Sequence, residues 1–258
     1  MAADLILTRK AKRIGFITLN RPEAMNTFTP EFADQLVQAL WSMENDDEVR
    51  VIVINAAGKH FCTGISLDQF NNKTHQEYRK FLYGIDAFYH TLADLNKPTI
   101  ASVQGFALAN GAGLSFACDM TVAAETATFG TTAINVGLIC LGPAAPMVKI
   151  IGKKKTMEMV LTGDMISAAE AETLGLVNKV VADADLETET LKLAEKLVAK
   201  SPIALRIGKE GLKRLQDVPY HQGLDSMDDL FASLCATNDA EEGVKAFLEK
   251  RQPDWKEC

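Results

Sequence analysis

The chain has no apolar run approaching the roughly 18 residues of a membrane span, and Met1 to Arg13 holds no signal-type apolar region. These absences predict a cytoplasmic protein with no membrane partner. Its five cysteines, Cys62, Cys118, Cys140, Cys235 and Cys258, are odd in number, scattered and never in C-x-x-C spacing. That pattern argues against a disulfide framework or a zinc site and fits a reducing compartment. Positive charge is also short, with 27 Lys and Arg against 34 Asp and Glu and a net charge of −7. A chain with no basic footprint is not expected to take nucleic acid as its main partner. Neither Gly-Lys-Ser/Thr nor Gly-x-Gly-x-x-Gly occurs, which makes a phosphate cradle a poor reading.

What is present suits a globular protein. The 258 residues are 47% hydrophobic and 24% charged, enough to bury a large core in one domain, or in one domain with a helical appendage. Leu5–Thr8 and Arg13–Leu19 read as strands. Thr29 followed by Pro30 and Glu31 is a helix start, and Phe32, Leu36, Leu40 and Trp41 then recur at helical spacing. Val51–Ile54 reads as a buried strand, Gly58–Gly64 as a loop, and about Gln76 to Leu95 as one helix with Phe81, Leu82, Ile85, Phe88 and Leu92 on one side. Further strands are expected at Thr99–Val103, Met120–Ala123, Thr128–Gly130 and Val177–Val181, with an almost wholly helical chain from Leu186 onward. The order is that of repeated strand–strand–helix units followed by a helical tail.

The most informative stretch runs from Lys97 to Asp119. After the Thr99–Val103 strand it packs Ala107, Ala109, Gly111, Ala112 and Gly113 into a small-residue turn that leads into an apolar helix. Such a turn exposes backbone N–H groups at a helix N-terminus, where negative charge is favoured. An N–H aimed at a developing oxyanion is the better use of it.

At these residues the chain resembles the crotonase (enoyl-CoA hydratase/isomerase) superfamily. The landmarks are Ile17–Asn26, Gly58-Lys-His-Phe-Cys-Thr-Gly64, Lys97-Pro98, Gln104-Gly105-Phe-Ala, Thr162-Gly163 with Ala169–Asn178, and Glu242–Arg251. The resemblance covers essentially the full length. It implies an α/β (α+β) fold, the crotonase/ClpP-like ββα spiral, with a core over 1–200 and a C-terminal helical trimerisation region over 201–258. It also implies a homotrimer or a dimer of trimers, acting on an acyl-CoA thioester. No metal and no separate cofactor are implied, coenzyme A being part of the substrate. Two backbone N–H groups, of Ile65 and Asn110, would hold the thioester oxygen as it becomes an enolate. Met25, Lys59, Phe61, Thr63 and Gly64 would line the substrate site, and Phe247 and Lys250 match positions that reach the coenzyme A of a neighbouring subunit.

The resemblance breaks at the acid–base positions. The two glutamates of the hydratases would fall at Gly113 and Ala133, and the single glutamate of the isomerases also at Ala133. Carboxylates of other members fall near Cys140 and Leu141, which are vacant too. Ala109-Asn110-Gly111 replaces the usual run of three glycines, and Asn110 adds a side chain where the thioester approaches. Ser66 stands where many relatives have an aspartate. Cys140 is a candidate nucleophile or weak acid, against the commoner role of a free cysteine as a small buried hydrophobe. Asp68 is a candidate at the pocket mouth, against capping or solvating the following helix, and His60 a candidate contact to the coenzyme A moiety, against a surface role. His90 and Tyr83 border the acyl pocket by resemblance, against packing; a histidine there could be a base near neutral pH. Asn135 and Thr132 could orient a water but are no bases. Lys149 with Lys153–Lys155 could attract phosphates, against a solvated helix boundary. Lys209, Lys213 and Arg214 read as solvated charge, and Met157 with Met159 as core. The expected function is acyl-CoA chemistry through a stabilised enolate. The alternatives are a catalytically reduced acyl-CoA-binding member and a thioester hydrolase or decarboxylase.

Overall fold

The computed structural model describes residues 4–216 and 218–256. Strands β1 (Ile6–Ala11) and β2 (Ile14–Leu19) form a hairpin. Helix α1 (Pro30–Glu44) follows, its N-cap Thr29 accepting from the Phe32 amide, as the Thr-Pro-Glu start signal predicts. Then come β3 (Val51–Ala56), α2 (His75–Ile85), α3 (Ala87–Asp94), β4 (Thr99–Val103) and β5 (Phe106–Leu108). Helix α4 (Asn110–Ala117), β6 (Met120–Ala124), β7 (Thr128–Gly130), α5 (Leu141–Thr162), β8 (Met165–Ser167), α6 (Ala168–Thr173) and β9 (Lys179–Val181) complete the sheet-bearing part. The tail is α7 (Leu186–Val198), α8 (Pro202–Leu215), α9 (Tyr220–Cys235) and α10 (Asn238–Leu248).

The strands make two sheets, one of order β1-β2-β3-β4-β6-β9 and one of order β5-β7-β8. All pairings in the larger sheet after the hairpin are parallel. Strand β4 joins the larger sheet and β5, next in the chain, the smaller; β6 and β7 repeat the move. An isolated bridge from Cys62 to Ala107 brings the loop after β3 beside the smaller sheet as well. Each turn of chain therefore leaves an element in both sheets, which makes a spiral. The parallel strands are apolar almost throughout, with β4 buried at every position, as expected of strands covered on both faces.

Three readings are corrected. The helix expected from Gln76 to Leu95 is two helices, broken at Asp86 (φ −86°, ψ 1°), because the Thr74–Glu77 capping box starts one helix and the apolar stripe of Ile85, Phe88 and Leu92 must turn to stay in the core. The small-residue turn after β4 contains the short strand β5, with the helix starting only at Asn110. Trp41 and Met157, expected to face inward, are exposed, whereas Met159 is buried. Two residues apart on a helix, Met157 and Met159 point to nearly opposite sides; helix α5 is itself kinked earlier, at Gly152 (φ 74°, ψ 168°).

Candidate active site

The first wall is the loop between β3 and α2. Gln104 anchors its start, the side-chain amide donating to the Ala56 and Gly58 carbonyls. Buried Asn26 donates to the Ala57 and His60 carbonyls. Further on, the Phe28 amide donates to Gly64 O (2.8 Å) and the Ser66 amide to Phe28 O (3.0 Å). Phe28 is itself held in the core between Phe32 and Phe88, each ring centroid 5.1 Å away. Such aromatic pairs contribute about 0.5–1.5 kcal/mol beyond their burial, so the segment carrying Ile65 is fastened to the rigid interior.

The second wall is the β5–α4 turn. The Leu108 amide donates to Cys62 O at 2.9 Å and the Ala109 amide to Gly130 O at 2.8 Å. Ala109 takes φ 47°, ψ −123°, a region that residues with a Cβ rarely enter. That conformation lets α4 begin abruptly against the first wall. A Cβ placed on Gly64, itself at φ +100°, would lie 2.7 Å from Ala109 Cβ and 3.6 Å from the Asn110 nitrogen. Only glycine at 64 permits this approach. The amides of Ile65 and Asn110 thus stand on adjacent backbones, and neither donates to another group among the described residues. Asn110 opens a helix, whose first N–H groups have no intrahelical acceptor and carry the positive end of the dipole.

The Asn110 side chain is buried, and its amide donates to Asp86 Oδ1 at 2.8 Å. Burial pushes the Asp86 carboxyl above the usual aspartate range, against the Asn110 hydrogen bond and nearby His90. A Cβ on Gly113 would overlap the Tyr89 hydroxyl and sit 2.8 Å from Tyr89 Cζ. The Tyr89 ring fills the space beside Gly113, and its buried hydroxyl finds no hydrogen-bond partner among the described residues. Asp86 and Tyr89 carry no sequence signal of their own; they were missed because residues 76–95 read as one continuous packing helix.

Met25 and Thr63 are joined by the Thr63 amide donating to Met25 O at 3.2 Å; Met25 and Lys59 are exposed. Phe61 is fully buried and its amide donates to Gln104 O at 2.9 Å, so its side chain is core. Phe247 and Lys250 sit at the end of α10, exposed in the single chain. His90 and Tyr83 line an open cleft with Asp86. His60 stacks on Phe106 at 4.6 Å, and its Nδ1 accepts from the Phe106 amide, which makes it a structural strut. Asp68 is exposed and lies in a short turn of 3-10 helix (Leu67–Gln69), accepting from Gln69. Cys140 is buried and its thiol is pushed up by that burial, which favours the hydrophobe reading over the nucleophile. Thr132 and Asn135 share a second 3-10 turn with Ala133. Lys155 pairs with Glu158 and Glu170, each at 3.3 Å. Lys209 is a correction: its side chain is only 11% exposed and bonds Asp119 Oδ2 at 2.7 Å, because α8 packs it over the end of β4.

A family model described as enoyl-CoA hydratase/isomerase matches residues 9–258. The chain belongs to that family. Among curated members of the enoyl-CoA hydratase/isomerase family, it is 36% identical to a probable mitochondrial enoyl-CoA hydratase of Dictyostelium discoideum, over 96% of this chain and 89% of the relative. It is also 36% identical to the 2,3-dehydroadipyl-CoA hydratase of Escherichia coli K12, over 98% of this chain and 99% of the relative. Among solved structures, the enoyl-CoA hydratase of Mycobacterium smegmatis superposes with a TM-score of 0.94 at 35% identity, covering 97% of this chain and 98% of the other. The spiral is therefore the crotonase fold, as the sequence landmarks imply.

Proposed function

We propose that the protein converts an acyl-CoA thioester by holding its oxygen between the Ile65 and Asn110 amides while negative charge develops there. The observation that carries this is the close approach of the Gly64 and Ala109 backbones, which sets two uncommitted N–H groups side by side. One such donor is worth about 2.7–4 kcal/mol of transition-state stabilisation in a water-poor site. Coenzyme A would enter as part of the substrate, with no separate cofactor, along Met25, Lys59, Phe61 and Thr63. Phe247 and Lys250 would reach it from a neighbouring subunit of a trimer or dimer of trimers, built through the tail after residue 200. The exposed apolar residues Leu212, Tyr220, Phe231, Val244 and Phe247 of that tail support such an assembly.

The test is calorimetric binding of crotonyl-CoA, set against turnover of crotonyl-CoA and a 3-enoyl-CoA by wild type and Gly64→Val. Binding with turnover is expected in the wild type, and a loss of about 10²–10³-fold in kcat in the variant. Equal kcat in the two would refute the donor pair. A second reading, a member that binds acyl-CoA without chemistry, is favoured by Gly113 and Ala133, neither of which can move a proton. Binding with neither thioester altered, and no free thiol released from an acyl-CoA panel, would select it. Thiol release alone would select the hydrolase reading.

A further inference from the structure

With both glutamate positions empty, the acyl-CoA reading lacks a group to move a proton, and the structure supplies one at the break between α2 and α3. Asp86 sits there at φ −86°, ψ 1°, the sparsely populated bridge region in which active-site residues recur. Its carboxylate takes the Asn110 side-chain amide at 2.8 Å, one residue's length from the Asn110 N–H that serves the thioester oxygen. A Cβ on Gly142 would lie 3.3 Å from each Asp86 oxygen and 3.1 Å from Tyr89 Cε2, so Asp86 and Tyr89 share one small space with the start of α5. From the other side Asp86 lines a cleft of about 450 Å³, a size that suits an acyl chain. His90 is near enough to favour the charged form of Asp86. Tyr89, meanwhile, occupies the space where a glutamate at 113 would have to stand.

We propose that Asp86 is the catalytic base of this site, taking the proton α to the thioester carbonyl; this rests on the acyl-CoA enolate reading above. The Cα–H bond breaks, the proton passes to an Asp86 carboxylate oxygen, and the electron pair moves into the enolate. The oxygen charge is met by the Ile65 and Asn110 amides. Protonated Asp86 then returns the proton to the chain. In a 3-enoyl thioester that return can occur at the γ-carbon, which shifts the double bond with no water and no co-reactant. A single carboxylate suffices for this, so β,γ-unsaturated acyl-CoA is the substrate class assigned to the site.

Burial keeps the Asp86 carboxyl above its ordinary range, which brings a carboxylate closer to the pH at which proton transfer is efficient. The titratable and charged groups facing it are His75, Tyr78, Arg79, Tyr83 and His90 along the cleft and Tyr89 on its own turn, which Cys140 approaches from the start of α5.

The experiment compares wild type, Asp86→Asn and Asp86→Glu on three readouts: crotonyl-CoA binding by calorimetry, exchange of the butyryl-CoA α-proton in deuterated water by NMR, and isomerisation of 3-hexenoyl-CoA across pH. Asparagine can still accept from Asn110, so the fold is preserved, which circular dichroism checks. For Asp86→Asn, exchange and isomerisation are expected to fall about 10²–10⁴-fold with binding unchanged within about threefold. The loss of wild-type activity toward acid, caused by protonation of Asp86, should vanish from the residual profile, and Asp86→Glu should recover part of the rate. An Asp86→Asn variant within about threefold of wild-type kcat, with the same pH profile, overturns the assignment while leaving the acyl-CoA reading intact. A wild type that neither binds nor exchanges defeats that reading, and the base with it.

Discussion

Replacing Gly113 by alanine tests whether the site has been rebuilt around Tyr89. The new methyl would overlap the Tyr89 hydroxyl, lie 2.8 Å from Tyr89 Cζ and 3.2 Å from Pro143 Cα. The Tyr89 ring cannot simply swing away, since it packs on Phe88 with centroids 4.1 Å apart, and Phe88 is core. Overpacking with atoms in overt overlap lies in the upper part of the usual range, about 2–3 kcal/mol. The helical preference of alanine over glycine returns about 1 kcal/mol, leaving a net loss of about 1–2 kcal/mol. For a chain of this size that corresponds to a fall of roughly 2–8 °C in Tm, read by calorimetry at fixed protein concentration because association shifts Tm. Tyr89→Phe in the same background removes the overlapping oxygen but leaves the ring carbon, so about 1 kcal/mol of coupling should appear in the double-mutant cycle. A Gly113→Ala protein as stable as wild type would refute the reasoning, since the space beside 113 would then be open. The same packing predicts that glutamates at 113 and 133 restore hydration only when Tyr89 is made small.

Three other outcomes follow from the geometry. The raised Asp86 pKa means its stabilising contribution is fully present below the unfolded pKa of about 3.9 and lost as pH rises through the folded value; Asp86→Asn should therefore raise Tm at about pH 8 and change it little near pH 4, and a lower Tm at about pH 8 would contradict this. Ala109→Gly relieves a backbone conformation costing about 1–3 kcal/mol against a glycine entropy cost of about 0.5–1 kcal/mol, so the urea midpoint should rise with unchanged slope. Lys209→Met leaves Asp119 without its cation over the end of β4 and should cost about 1.5–3 kcal/mol in urea unfolding; a cost below about 0.5 kcal/mol would return Lys209 to the status of a surface charge.

Local signals made much of the fold legible. Thr29-Pro30-Glu31 starts α1 where cap chemistry says it should, and the apolar, partly β-branched runs at 51–54 and 99–103 became the buried centre of the larger sheet. The three-residue strands β5 and β8 were not visible, because segments so short have no periodicity of their own and these two exist only through pairing with β7. The break at Asp86 was hidden for a related reason: the apolar residues on either side keep nearly helical spacing, and only the curvature of the core separates them.

By itself the sequence determined most of the elements, the family, and the two loops that meet at Gly64 and Ala109, because caps, strand runs and the Gly58–Gly64 and Gln104–Gly113 segments are encoded within a few neighbouring residues. It also determined that Gly113 and Ala133 cannot move a proton. Only the tertiary structure decided what stands in their place. Asp86 and Asn110 lie 24 residues apart in the chain, and Tyr89 meets Gly113 from a different helix. Contacts of that kind arise from how the spiral stacks its turns, so no local pattern in the chain announces them.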